Sequence, residues 1–66
     1  MVLKKLMAQC INEERDMIIT DGYNNLYRLE QRDGDCFMYE HSMTLHLDIP
    51  VEVSLEILDN PFYHEF

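Results

Sequence analysis

Residues 25–41, NLYRLEQRDGDCFMYEH, decide the fold of this chain. They contain two segments rich in aromatic and aliphatic residues, and only Asp33 and Gly34 separate them. Asp-Gly between two such segments is the signature of a β-hairpin with a two-residue type I′ turn. The sequence therefore predicts two antiparallel strands joined at this turn.

The register of the hairpin predicts how its faces differ. If the residues flanking the turn pair with each other, Leu29 lies opposite Met38 and Arg28 lies opposite Tyr39. The first pair belongs to an apolar face and the second to a mixed face. A slip of one residue would exchange the two faces, so the register is a testable prediction.

Upstream of the hairpin, the spacing of apolar residues predicts a helix and a short strand. Leu3, Leu6, Met7 and Cys10 follow an i, i+3, i+4, i+7 pattern, which favours an amphipathic helix over residues 2 to about 13. A strand over LMAQCI is the alternative, but its alternation is weaker. Residues 17–20 follow as a short strand that enters a turn at Asp21 and Gly22.

Downstream, residues 43–57, MTLHLDIPVEVSLEI, place an apolar residue at every odd position. This alternation favours a strand, with Pro50 at a bend or on an edge strand where its missing N–H faces water. The alternative is a second helix at 50–58 with Asp48 as its N-cap. The β-branched residues Val51 and Val53 favour the strand.

Together these elements predict an α+β fold with one domain spanning residues 1–66. An N-terminal helix packs on a small antiparallel sheet of four or five strands that includes the Asp-Gly hairpin. So short a chain cannot build two independent cores, and a second copy often completes a small core. A homodimer is therefore an alternative to a monomer.

The charge of the chain is unevenly distributed. The formal net charge is −8, and residues 33–66 contain eight acidic residues and no Lys or Arg, whereas residues 1–32 are balanced. Such a field repels nucleic acid and anionic membranes and favours a basic protein surface or metal cations. The alternative is that the acidity only keeps a small protein soluble.

The two cysteines and the N-terminus indicate a cytoplasmic protein. Cys10 and Cys36 allow one intramolecular pairing, and neither belongs to a CxxC motif. The first residues lack the long apolar run of a signal peptide, and no segment approaches a membrane span. We expect both thiols to be reduced in that compartment.

Few residues form a recognisable catalytic motif, and we expect no enzymatic activity, no cofactor and no metal. There is no glycine-rich phosphate loop and no nucleophile with its base at a recognisable spacing. Ser42 follows His41, but neighbours in a strand point to opposite faces. Glu40, His41, His46 and His64 are possible metal ligands, but His41 and His46 would face opposite sides of a continuous strand and could converge only if a turn intervened, so surface histidines are the simpler interpretation.

An aligned row of carboxylates is the most informative candidate site. Asp48, Glu52 and Glu56 are spaced at i, i+4 and i+8, no Lys or Arg lies nearby in sequence, and Asp59 follows them. Such a row can imitate nucleic-acid phosphates and enter a basic groove on another protein. The alternative is a solvated acidic face.

The tail, residues 60–66, adds three aromatic residues that could anchor a partner or fold back over the core. The predicted binding residues are therefore Asp48, Glu52, Glu56, Asp59, Phe62, Tyr63 and Phe66. Our hypothesis is a non-enzymatic module that inhibits or regulates a basic, nucleic-acid-handling protein, in the manner of small acidic DNA mimics made by bacteriophages, which it matches only in size and charge. The alternative is an assembly subunit that acts through hydrophobic homo- or hetero-oligomerisation.

Overall fold

The computed structural model describes residues 1–66 and has an α+β fold, as the sequence predicts. An N-terminal helix and a short second helix accompany one five-stranded antiparallel sheet with the order β4-β3-β2-β1-β5. The elements in chain order are α1 (Val2–Asn12), β1 (Met17–Thr20), β2 (Leu26–Arg32), β3 (Asp35–Ser42), β4 (Leu47–Pro50), α2 (Leu55–Asp59) and β5 (His64–Glu65).

The β2–β3 hairpin has the predicted turn and the predicted register. Asp33 and Gly34 both have positive φ, 53° and 83°, as a type I′ turn requires. In the ladder Leu29 pairs with Met38 and Arg28 pairs with Tyr39. The prediction of one apolar and one mixed face is confirmed.

Helix α1 packs against the apolar face of the sheet and forms the core with it. Leu3 and Cys10 of the predicted helical stripe are fully buried. The core cluster takes residues from both elements and from the C-terminal segment: Leu3, Cys10, Met17, Ile19, Leu29, Met38 and Tyr63. We call this covered side of the sheet the helix side.

The continuous strand expected over residues 43–57 is wrong outside Leu47–Pro50. Residues 43–46 form a turn, β4 contains only Leu47–Pro50, and residues 55–59 form α2. The second helix therefore exists, but its N-cap is Ser54 and not Asp48, because the Ser54 hydroxyl accepts a hydrogen bond of 3.3 Å from the Ile57 N–H.

Pro50 lies on an edge strand, as the sequence allows. Val51 N–H donates to the Met38 carbonyl at 2.9 Å, and the register pairs Tyr39 with Pro50. Along an edge strand, successive backbone nitrogens point alternately toward the neighbouring strand and away from it. The Pro50 nitrogen therefore points away from β3, and its missing N–H costs the ladder no hydrogen bond. The free edge of β4 consequently offers few donors to another strand.

The odd-numbered apolar row divides at Pro50. After Pro50, Val51, Val53 and Ile57 pack against the core, as the pattern predicts, whereas Leu55 is exposed. The four earlier members of the row are exposed: Met43, Leu45, Leu47 and Ile49. Neither helix is long and apolar enough to cross a membrane.

Candidate functional site

The side of the sheet opposite the helix side carries no helix, because α1 contacts the strands from one side and α2 packs against α1. One row of paired residues crosses this uncovered side from β1 to β4: Ile18, Arg28, Tyr39 and Pro50. The Phe66 N–H donates to the Ile18 carbonyl at 2.9 Å, which extends the same row past β5. We call this surface, with Leu26, Phe37 and Asp48, the open face.

Arg28 lies at the centre of the open face and is surrounded by carboxylates. Its Nε is 3.1 Å from Oδ2 of Asp48, and its Nη1 is 3.3 Å from Oε2 of Glu30 and 3.9 Å from Oδ2 of Asp16. The guanidinium carbon lies 4.8 Å from the centroid of the Tyr39 ring, which is a cation–π contact. One cation therefore faces three carboxylates, and this part of the open face is net negative.

Asp48 also contacts His41, whose Nδ1 lies 3.0 Å from Oδ1 of the carboxylate. The hydrogen bond with His41 and then that with Arg28 hold the pKa of Asp48 below its ordinary value. The same contact with Asp48 raises the pKa of Arg28. No Lys or Arg lies near Asp48 in sequence, but the β-ladder brings Arg28 close to it from twenty residues away.

Three shallow depressions have Leu26 in their walls. One of about 360 Å³ lies on the open face and is lined by residues that include Ile18, Arg28 and Phe66. The other two, of about 380 and 540 Å³, lie beside the β1–β2 turn and the β3–β4 turn. The open face is therefore concave around Leu26, with Phe66, 81% exposed, on its rim. No group of three or more His, Cys, Asp or Glu residues is arranged to hold a metal ion.

The structure divides the seven predicted binding residues among four places. Asp48 and Phe66 lie on the open face. Tyr63 is only 5% exposed and belongs to the core, where its ring meets Tyr27 edge to face at 5.8 Å. Phe62 is exposed and meets the exposed ring of Tyr23 in the same manner, also at 5.8 Å.

The remaining acidic residues lie on the helix side, in the segment from residue 52 to residue 59, which we call the acidic segment. Glu52 precedes α2, whereas Glu56 and Asp59 belong to it, and none of the three has a basic partner within 4.0 Å. Leu55, the first residue of α2, is 74% exposed. The predicted straight row does not form, because its members lie on a strand, a connection and a helix.

Sequence reasoning missed Ile18, Arg28 and Tyr39 as members of a candidate surface. The signal was present in the predicted hairpin register, which placed Arg28 opposite Tyr39 on the mixed face. The sequence pattern did not reveal that no helix covers this face or that Phe66 lies beside β1. Both depend on contacts between residues far apart in sequence.

Comparison of the chain with protein-family models, with curated proteins and with solved structures finds no match. The candidate site is therefore defined by its geometry and charge alone.

Proposed function

We propose that this chain is a non-enzymatic binding module that docks a basic, nucleic-acid-handling protein on its open face and inhibits or regulates it. The open face supports this function because it combines exposed apolar side chains with an excess of negative charge. Ile18 and Phe66 stand in one row, and the central Arg28 is outnumbered by the carboxylates around it.

The apolar part of the open face supplies the short-range attraction. Aromatic side chains are frequent anchors of protein interfaces, and an apolar patch with a polar rim is typical of a docking surface. The Arg28 guanidinium lies over the Tyr39 ring, so the ring is already ordered before a partner arrives. Little side-chain entropy remains to be lost there on binding.

The net charge of −8 supplies long-range attraction that draws a basic surface toward the molecule. The acidic segment contributes to this field from the side opposite the open face, since its carboxylates have no basic partner within 4.0 Å. Such steering acts mainly on the association rate and weakens as salt shortens the Debye length from about 10 Å at 0.1 M to about 3 Å at 1 M.

The experiment compares two exposed apolar residues on opposite sides of the molecule. Tagged wild type, Phe66→Ser and Leu55→Ser are used to capture proteins from a native lysate, washed in parallel at low and high salt. We expect wild type and Leu55→Ser to retain the same basic protein at low salt, and Phe66→Ser to retain at least tenfold less. Equal retention by Phe66→Ser, with loss in Leu55→Ser, would assign docking to the acidic segment.

A charge-reversal variant tests the steering separately. Glu56→Lys with Asp59→Lys leaves the open face intact, whereas a lysine at position 48 would stand beside Arg28 and disturb it. We expect the double variant to slow association and to flatten the salt dependence, with little change in the dissociation rate. An unchanged association rate would remove the acidic segment from the mechanism.

A second candidate function is assembly through hydrophobic self-association. The exposed row Met43, Leu45, Leu47 and Ile49 favours it, because four apolar side chains lie together around the β3–β4 turn and the edge strand. It predicts association that persists at high salt, which sedimentation at both salt concentrations measures directly. Dispersal at high salt would exclude it.

A further inference from the structure

We propose that Cys10 and Cys36 form an intramolecular disulfide when the folded protein meets a low-molecular-weight disulfide such as glutathione disulfide. The bond would join α1 to β3 across the core. This inference is independent of the proposed binding function, since neither cysteine lies on the open face or in the acidic segment.

The fold brings the two thiols together from both sides of the core. Cys10 lies on the buried stripe of α1, where its thiol donates to the Arg15 carbonyl at 2.8 Å and lies 3.6 Å from the Leu29 carbonyl oxygen. Cys36 pairs with Gln31, two residues from the Leu29–Met38 pair, so its side chain points to the helix side and packs against the core cluster. After burial, each thiol is the next largest influence on the pKa of the other, as expected for neighbouring sulfurs.

The exposure of the two thiols fixes the order of the reaction. Cys10 is fully buried, whereas Cys36 is only partly buried and can be reached from solvent. The Cys36 thiol loses its proton and attacks one sulfur of glutathione disulfide, which gives a mixed disulfide and one glutathione. Cys10 then loses its proton and attacks Cys36 Sγ, which releases the second glutathione. Two protein thiols are oxidised and one glutathione disulfide is reduced to two thiols.

Burial also determines how fast the reaction runs. It raises the pKa of Cys10 and raises the pKa of Cys36 to about 12. Because only the thiolate attacks a disulfide, exchange is slow near neutral pH and its rate rises about tenfold for each pH unit below that pKa. The two thiols therefore stay reduced during brief exposure to glutathione disulfide and form the disulfide only when the exposure is sustained.

The test treats folded wild type with glutathione disulfide at pH 8.5 and follows intact mass and non-reduced peptide maps. We expect the loss of two hydrogen atoms and a Cys10–Cys36 peptide pair, with a rise in the thermal midpoint of about 10 °C. The Cys10→Ala variant should stop as a glutathione adduct on Cys36, and the Cys36→Ala variant should stay unmodified while folded.

Other outcomes would overturn the proposal. A wild-type chain that stops as the adduct on Cys36, or that forms only disulfide-linked dimers, would show that the two thiols do not meet in the native state. As a control, unfolded wild type in urea should form adducts on both cysteines at similar rates, because the difference in exposure is then lost. Adduct formation on both cysteines at similar rates in the folded protein would contradict the assigned order.

Discussion

Gly22 and Gly34 have nearly the same backbone conformation in different surroundings. Their φ angles are +87° and +83°, where a residue with a Cβ is strained. A Cβ at Gly22 would lie 2.9 Å from Cβ of Phe62 and 3.4 Å from its carbonyl oxygen, whereas a Cβ at Gly34 meets nothing within 4 Å. Gly22 thus permits the C-terminal segment to pack on the β1–β2 turn.

These two glycines form a matched pair for a stability measurement. We expect Gly34→Ala to lower the free energy of unfolding by about 1 kcal/mol, from backbone strain alone. Gly22→Ala should lower it by about 2 to 3 kcal/mol, because the Phe62 backbone must also shift. Urea denaturation of both variants measures the difference, and equal losses would mean that the contact with Phe62 contributes nothing.

Asp21 is a buried carboxylate that ties this turn to the core. It accepts hydrogen bonds from the Tyr23 N–H, from Asn25 Nδ2 and from the Tyr27 hydroxyl, at 2.8, 2.8 and 3.2 Å. Burial opposes its charge, but these hydrogen bonds together outweigh burial and lower the pKa of Asp21. A carboxyl with a lowered folded-state pKa stabilises the fold above its unfolded pKa, near 4, and that contribution is lost as pH falls through the folded value.

Replacing Asp21 tests this account through pH. Asp21→Asn leaves one acceptor oxygen for three donors, so we expect it to lower the free energy of unfolding by about 1 to 3 kcal/mol at pH 7. The difference from wild type should shrink as pH falls below 4, because only the wild type then loses its carboxylate. Asp59→Asn, at an exposed unpaired position, should show neither effect. A difference from wild type that stays constant down to pH 2 would refute the assignment.

At the scale of elements, α2 depends on its N-cap more than on its length. It has five residues, none of them fully buried, and only the Ser54 hydroxyl caps it. Ser54→Ala should lower the free energy of unfolding by about 1 kcal/mol, whereas Ser54→Asp should preserve it, because a carboxylate also accepts from the Ile57 N–H. Urea midpoints with an unchanged slope measure both, and an equal loss in Ser54→Asp would exclude the capping role.

The elements also show what the sequence could and could not predict. The hairpin was predictable because its turn needs two residues with positive φ, and Asp33 and Gly34 meet that need locally. Residues 43–57 were not, because alternating apolar residues suit a strand but do not force one. Pro50 ends the strand and Ser54 caps the helix in that segment. Both effects depend on contacts distant in sequence, because Pro50 lies on an edge strand beside β3 and Ile57 packs against the core.

At the scale of the whole molecule, the division into a helix side and an open face determines the candidate site. The sequence identified Asp48 and Phe66, and the fold placed both on the open face with Arg28 and Ile18. It also placed Tyr63 in the core, which a local pattern of aromatic residues could not reveal. The sequence also identified the acidic residues of the second half of the chain. Their distribution between the open face and the helix side depends on where α2 packs.

The central claim is that a basic partner covers the open face, and hydroxyl-radical footprinting tests it most directly. The complex captured at low salt is oxidised beside the free chain, and modification of exposed side chains is compared. We expect protection of Phe66, Phe37 and Ile18, with Leu55 modified as in the free chain. Protection of Leu55 while Phe66 stays accessible would contradict the account.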